Sequence, residues 1–212
     1  MMKRRTLVLA ALALGIGALP AWSGTAAEST AGTPVLAPAE YEIDRAHSQV
    51  QFKIKHLGIS TVTGRFGDFS GSIVYDPQNM AGSRATATIK AASIDTNNER
   101  RDNHLRSADF FETEKYPDIT FTGSRVRAVN GKKFKLDGTL AMHGVTRPIT
   151  LDVEYEGPVH GPDGKQRMAF NATANLDRSD YGLTWNRALE AGGVVVGTDV
   201  QIVLELETIR KQ

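Results

Sequence analysis

The sequence predicts an all-β fold, closed as an antiparallel barrel of about eight strands. Three observations predict it. Apolar and polar residues alternate with period two in run after run between Tyr41 and Glu207. Turn chemistry separates the runs, and no strand–helix alternation of the kind that builds a parallel sheet accompanies them. Period two gives each strand one dry and one wet face. Two packed sheets would use the same alternation, but long amphipathic strands and few long connections favour a barrel, whose closure removes exposed edges. A membrane-spanning barrel would turn its apolar face outward and carry aromatic girdles at the strand ends; here the wet faces hold Lys, Glu, Asp and Gln and no such girdles are present.

The strands follow in order. Ser48, Val50, Phe52, Ile54 and His56 share one face, with Gln49, Gln51, Lys53 and Lys55 on the other. Gly64, Gly67 and Gly71 punctuate the segment before a strand at Ser72 to Tyr75, which Asp76-Pro77 ends. Ala85, Ala87 and Ile89 alternate with Thr86, Thr88 and Lys90. Thr96 to Ser107 breaks the rhythm: it is polar and charge-dense, with Leu105, Ala108 and Phe111 spaced at three, and predicts a short helix capped by Asn97 or Asn98. Ile119 and Phe121 alternate with Thr120 and Thr122, and Asn130-Gly131 predicts a two-residue hairpin. Ile149, Leu151, Val153 and Tyr155 form the next inward set, and Pro162-Asp163-Gly164 the next turn. Met168, Phe170, Ala172, Ala174 and Leu176, then Val200, Ile202, Leu204 and Leu206, complete the pattern.

The ends bound the setting. Lys3, Arg4 and Arg5 precede an apolar run from Thr6 to about Trp22 and a small-residue zone, Ser23 to Ala27. That order predicts a secretory signal over 1–27, cleaved around 23–27, and hence export to the periplasm. The run holds Gly15, Gly17 and Pro20 and is short for a membrane span of about 20 residues. Residues 28–40, rich in Ala, Pro, Thr and Gly, read as a flexible leader. The chain has 25 Lys and Arg against 24 Asp and Glu. Removing the signal takes three basic residues and no acids, leaving 22 against 24 and a net charge of −2. The apparent basicity belongs to the signal, and nothing in the charge predicts a nucleic-acid partner. Cysteine is absent, which excludes thiol catalysis, Cys-ligated zinc and iron–sulfur clusters.

The inward set includes Val50, Phe52, Ile54, Ile89, Phe121, Leu140, Leu151, Phe170 and Leu204. Taken singly each is an ordinary core residue. An eight-stranded barrel is either filled by such side chains or holds one small ligand, and the sequence leaves both open. The small inward residues Ala85, Ala87, Ala172 and Ala174 would leave room for a chain. His56, at a strand end with inward parity, is the candidate head-group donor at the mouth, with Trp185 and Tyr181 at the opening and Arg65, Asp109 and Asn186 as weaker candidates. The five histidines show no helical i, i+4 pair and no HExxH, so no metal site is expected. With no GxSxG elbow and no phosphate loop, no catalytic residue is expected either.

Several local patterns occur in a fixed order: His47-Ser48-Gln49-Val50-Gln51-Phe52-Lys53-Ile54-Lys55-His56, Gly64-Arg65-Phe66, Arg101-Asp102-Asn103-His104-Leu105, Asp109-Phe110-Phe111, Tyr116-Pro117-Asp118-Ile119-Thr120-Phe121, Gly138 to Pro148, Arg178-Ser179-Asp180-Tyr181-Gly182 and Val196-Gly197-Thr198-Asp199-Val200. In that order they resemble the YceI-like family of bacterial periplasmic proteins, over essentially 41–208. The resemblance implies an extended, lipocalin-like eight-stranded barrel with one or two short helices, and no established catalytic reaction. It implies a long-chain amphiphile inside the barrel, an isoprenoid quinone, polyprenyl or fatty chain, and no required cofactor. Phe66 and Phe110 of the shared motifs join the candidate lipid contacts on that ground. Homodimers, and a membrane cytochrome as partner, are further expectations of the resemblance. So is a second reading: a stress-related interaction module beside a membrane electron-transfer protein, with lipid as a structural component.

Overall fold

The computed structural model describes residues 37–190 and 192–212. The predicted signal, and most of the predicted leader, lie outside the described residues. Eleven strands form one sheet: β1 (Ala39–Ile43), β2 (Gln49–His56), β3 (Ser60–Phe66), β4 (Phe69–Tyr75), β5 (Arg84–Lys90), β6 (Ile94–Asp95), β7 (Asp118–Asn130), β8 (Lys133–Met142), β9 (Val145–His160), β10 (Gln166–Asp177) and β11 (Val196–Arg210). The first begins two residues inside the predicted leader, because Ala39 and Glu40 pair with Tyr75 and Val74 of β4.

The strands close into a ring of eight in the order β1-β4-β5-β7-β8-β9-β10-β11, and the pairing of Tyr41 with Arg210 and Ile43 with Thr208 closes it. All pairings are antiparallel. The remaining three strands extend the wall beyond the ring: β2 runs along β11, β3 along β2, and β6 along β3. Thus β1 and β2 are one pass of the chain bent at Asp44–Ser48, β3 and β4 one pass bent at Gly67-Asp68, and β5 and β6 one pass bent at the 3-10 turn Ala91–Ser93. Eleven strands make eight passes, and the sequence pattern reads passes.

One α-helix, α1 (Glu99–Arg106), follows β6. The Asn98 side chain accepts the Arg101 N–H at 3.0 Å and caps its start. The helix ends at Arg106, within the stretch from Thr96 to Ser107 where the sequence predicts it. Ser107 closes it, its hydroxyl donating to the His104 carbonyl at 2.7 Å, and the Phe111 N–H turns back to the Leu105 carbonyl at 3.0 Å. Leu105 and Phe111 still reach one core, but by a turn and not by a shared helix face. The β7–β8 loop is Gly131-Lys132, one residue later than Asn130-Gly131 predicts, since Asn130 pairs with Lys133. The cause is an irregularity between Arg127 and Asn130, where Ala128 sits at φ +52° and shifts the register.

Inward residues divide into two classes. Ile119, Leu140, Leu151, Val153, Phe170 and Met168 are buried. Ile73, Ala85, Ala87, Ile89, Ile202, Leu204 and Leu206 have the same parity but are only half-buried. Their remaining accessible surface faces an interior space. The outer wall is wet and charged: Lys90 pairs with Asp118 at 2.7 Å, Arg127 with Asp137 at 2.6 Å, Lys133 with Glu154 at 3.4 Å, and Lys135 with Asp152. Exposed pairs contribute at most about 1 kcal/mol each. Their polarity inverts that of a membrane-spanning barrel. Among the described residues no helix is long and apolar enough to cross a membrane.

Candidate binding cavity

The interior holds two chambers that share Phe52, Phe66 and Ile202 on their walls. The inner one lies within the ring and has a volume of about 150 Å³. The outer one, of about 290 Å³, lies among β2, β3, α1 and the segment from Leu183 to Val196. One water needs roughly 10 Å³ on this measure, so both spaces are larger than packing defects.

The inner chamber is lined by Val50 and Phe52 of β2, Phe66 of β3, Ile89 of β5, Phe121 of β7, Leu140 of β8, Leu151 of β9, Phe170 of β10 and Leu204 of β11, among others. Ala85, Ala87 and Ala172 also line it, and their small side chains keep the space open; Ala174 is buried but lies off both chambers. Three of its wall residues, Tyr75, Phe134 and Phe170, join Tyr155 in an aromatic group. Tyr75 lies 5.2 Å from Tyr155 and 6.1 Å from Phe170, ring centre to ring centre, and Phe134 lies 6.3 Å from Tyr155. Burial, then the bond to Tyr155, pushes the Tyr75 phenol far above its ordinary value, so it stays neutral.

At the junction Phe52 and Phe66 lie 5.8 Å apart, and Phe111 meets Phe66 edge-on at 5.9 Å. Beyond it, Ile54, His56, Phe110 and Trp185 line the outer chamber. Trp185 packs at 5.2 Å on Phe110, and the His104 ring stands edge-on to both, at 4.8 and 5.0 Å. His104 Nε2 bonds Asp109 Oδ2 at 2.8 Å. The wall from Leu183 to Val196 is held by Arg178, which donates through Nε to the Gly197 carbonyl at 2.8 Å, through Nη2 to Val196 at 3.4 Å, and through Nη1 to Leu183. Burial pulls the Arg178 guanidinium below its ordinary value, with Asp177 opposing.

All twelve sequence candidates therefore line the chambers: Val50, Ile89, Phe121, Leu140, Leu151 and Phe170 the inner, Ile54, His56, Phe110 and Trp185 the outer, and Phe52 and Phe66 both. The weaker candidates, Arg65, Asp109 and Asn186, line neither chamber, and nor does Tyr181, expected at the opening. Arg65 pairs with Asp95 at 2.8 Å on the exterior, Asp109 holds His104, and Tyr181 is buried with its carbonyl bonded to His143 Nδ1. Asn186 clamps both backbone groups of Val196, at 2.7 and 3.2 Å. Sequence reasoning missed Arg101 and Arg178. Period two does not reach residues at a helix and a 3-10 turn, and the only signal for Arg178 was its place in a motif. Among the described residues one grouping has metal-ligand spacing, Asp44, His47 and Glu207, but Arg167 already holds Glu207 at 3.1 Å, so a cation there meets its charge.

Comparison with known proteins agrees with this architecture. The model of the YceI-like domain matches residues 41–208. A UPF0312 protein of Staphylococcus aureus (strain MSSA476) is 40% identical over 168 residues, covering 79% of this chain and 95% of its own. Among solved structures, the Campylobacter jejuni YCEI protein is 40% identical with a TM-score of 0.64, over 80% of this chain and 96% of its own. A polyisoprenoid binding domain from Saccharophagus degradans, implicated in plant cell wall breakdown, shares the fold with a TM-score of 0.59 at 22% identity, over 81% of this chain and 98% of its own.

Proposed function

The chain belongs to the YceI-like domain family, and from that premise we propose that it is a periplasmic, non-enzymatic binding protein that holds a long-chain amphiphile inside its barrel for transport, storage or sequestration. The chain class is an isoprenoid quinone, a polyprenyl or a fatty chain. One observation carries this reading: two adjoining apolar chambers run through a barrel whose outer wall is charged. An apolar chain gains about 0.8 kcal/mol per CH₂ removed from water, without directional contacts. That the Saccharophagus neighbour is a polyisoprenoid binding domain supports the ligand class, and the amino-terminal basic-apolar-small order supports export.

The test is extraction of the purified protein with organic solvent, followed by mass spectrometry. A reproducible long-chain species in stoichiometric amount is the expected result. A ligand-free protein that also fails to take up added isoprenoid or fatty chains sinks the reading.

A second reading, an interaction module whose lipid is structural, draws on an exposed apolar tip. Leu57 is 40%, Ile59 84% and Val194 45% exposed, and the Leu57 N–H joins the two loops by donating to the Val195 carbonyl at 2.8 Å. A lipid that exchanges freely with vesicles favours a carrier; a lipid that never exchanges, together with a stable partner protein, favours the module.

A further inference from the structure

The outer chamber carries an unbalanced charge. Its titratable wall residues are Lys55, His56, Arg101, His104 and Arg178, and among the described residues its wall includes no Asp or Glu. Arg178 is 5% exposed. All three of its guanidinium nitrogens go to backbone carbonyls, and among the described residues no carboxylate lies within ion-pair distance of it. Arg101 spends Nε on the Thr96 hydroxyl at 2.7 Å and Nη2 on the Thr96 carbonyl at 2.8 Å, which leaves Nη1 without a partner among the described residues. The nearby carboxylates are engaged elsewhere. Asp102 accepts from the Thr96 N–H and hydroxyl, Asp109 from His104, and Asp177 from Ser179.

Burying a cation is costly, and for Arg178 the backbone carbonyls and the Asp177 charge, which lies beyond ion-pair distance, offset only part of that cost. The inner chamber differs. Its one charged wall residue is Arg84, which is exposed. The two chambers are therefore chemically unlike, one apolar and one apolar with cations.

We propose that the outer chamber seats the anionic head group of the bound amphiphile, a carboxylate or a phosphate, with Arg101 and Arg178 supplying the charge and the chain running past Phe52 and Phe66 into the inner chamber. This rests on the lipid-binding reading above and adds the head-group class and the direction of entry. Trp185 and Phe110 close over the head and exclude water, which strengthens the electrostatic contact.

The experiment uses the delipidated full domain and three probes with one tail: hexadecanoate, hexadecyl phosphate and hexadecanol, with inorganic phosphate as a fourth. Affinities are read by calorimetry at neutral pH. Both anionic lipids are expected to bind at least about tenfold more tightly than the alcohol, the scale of one hydrogen bond to a charged group. Arg101→Gln should remove most of that advantage and Arg101→Lys should keep it, with circular dichroism confirming that both fold. Arg178→Gln is the less informative variant, because that side chain also holds the chamber wall. Equal affinity for acid and alcohol overturns the head-group assignment and leaves the lipid reading standing. Inorganic phosphate binding as tightly as hexadecyl phosphate overturns it too, since the site would then be a free-anion site. Failure of all three lipids to bind overturns the lipid reading, and this proposal with it.

Discussion

Phe52 stands directly opposite Gly64 in the β2–β3 register, and its ring fills the place that a side chain at position 64 would take. A Cβ there would collide with the Phe52 ring edge and lie 2.8 Å from Thr96 Cγ2. Glycine is needed at 64 for this close approach, which lets Phe52 lie flat on β3 and leaves the junction between the chambers clear.

Gly64→Ala should therefore drive the Phe52 ring toward Phe66 and into the junction. Overpacking of this kind costs about 1–3 kcal/mol. Melts recorded with and without added lipid read both consequences: a lower midpoint for the empty protein, and a smaller lipid-induced rise. An unaltered midpoint with full lipid-induced stabilisation would show that the ring has room to give.

Ala87 lines the inner chamber and pairs with Phe121. Ala87→Leu adds three carbons to a space that the proposed chain occupies. Affinity should climb with chain length by about 0.8 kcal/mol per CH₂ until the chamber is full, and in the variant the climb should stop roughly three carbons sooner. The longest chains then lose about 2 kcal/mol while short ones lose nothing. A homologous series of fatty acids measured on both proteins tests this, and an unchanged plateau would place the chain elsewhere.

Period two made the barrel legible because it is a local property. Val50, Phe52, Ile54 and His56 share a wall whether or not the sheet closes, so their parity is readable from β2 alone. The bends at Asp44–Ser48 and Gly67-Asp68 were not readable. They divide each pass into two strands although both halves follow the same neighbouring passes: β1 and β2 both pair with β11, and they pair with β4 and β3 on the other side. Phe66 and Phe110 were found only through motifs, since Phe110 lies between α1 and β7 with no period to place it. Arg101 and Arg178 escaped for a related reason. A cation at a helix or a 3-10 turn reads as a solvated group until the tertiary fold places it, here Arg178 against the carbonyls of Leu183, Val196 and Gly197 and Arg101 against Thr96. The hollow interior was equally illegible, because filled and empty barrels use the same inward residues.

Asp102 is 6% exposed and accepts two bonds from Thr96, one from its N–H at 2.9 Å and one from its hydroxyl at 2.5 Å. It ties α1 to the end of β6 and supports the Thr96 that holds Arg101. Asp102→Ala leaves a buried N–H unsatisfied and should cost about 1–3 kcal/mol in denaturant unfolding. Asp102→Asn, which keeps one acceptor, should cost less. Two variants of equal, unperturbed stability would mean that water replaces the carboxylate.

The bend between β1 and β2 makes a pH-dependent contact. Asp44 accepts from His47 Nδ1 at 2.9 Å and from the Ala46 N–H at 3.0 Å. The bond to Asp44, then the Asp44 and Glu207 charges, raises the His47 pKa above its ordinary 6.5, with Arg167 opposing. The same bond, with the Ala46 N–H, lowers Asp44 below the ordinary carboxylate value. The signs follow from linkage. The raised His47 contributes stability that is fully present below about pH 6.5 and is lost as pH rises through the folded value. The lowered Asp44 contributes stability that is present above about pH 4 and is lost as pH falls through its folded value. The contact is therefore strongest between about pH 4 and pH 6.5 and fades toward alkaline pH. Both groups are solvent-accessible and the effect is small, so the His47 ring resonances are a better measure than a melt. In Asp44→Asn the His47 titration should fall back toward about 6.5 and the stability difference between about pH 6 and pH 8 should shrink. A His47 that titrates identically in the parent and the variant would show that the contact does not persist in solution.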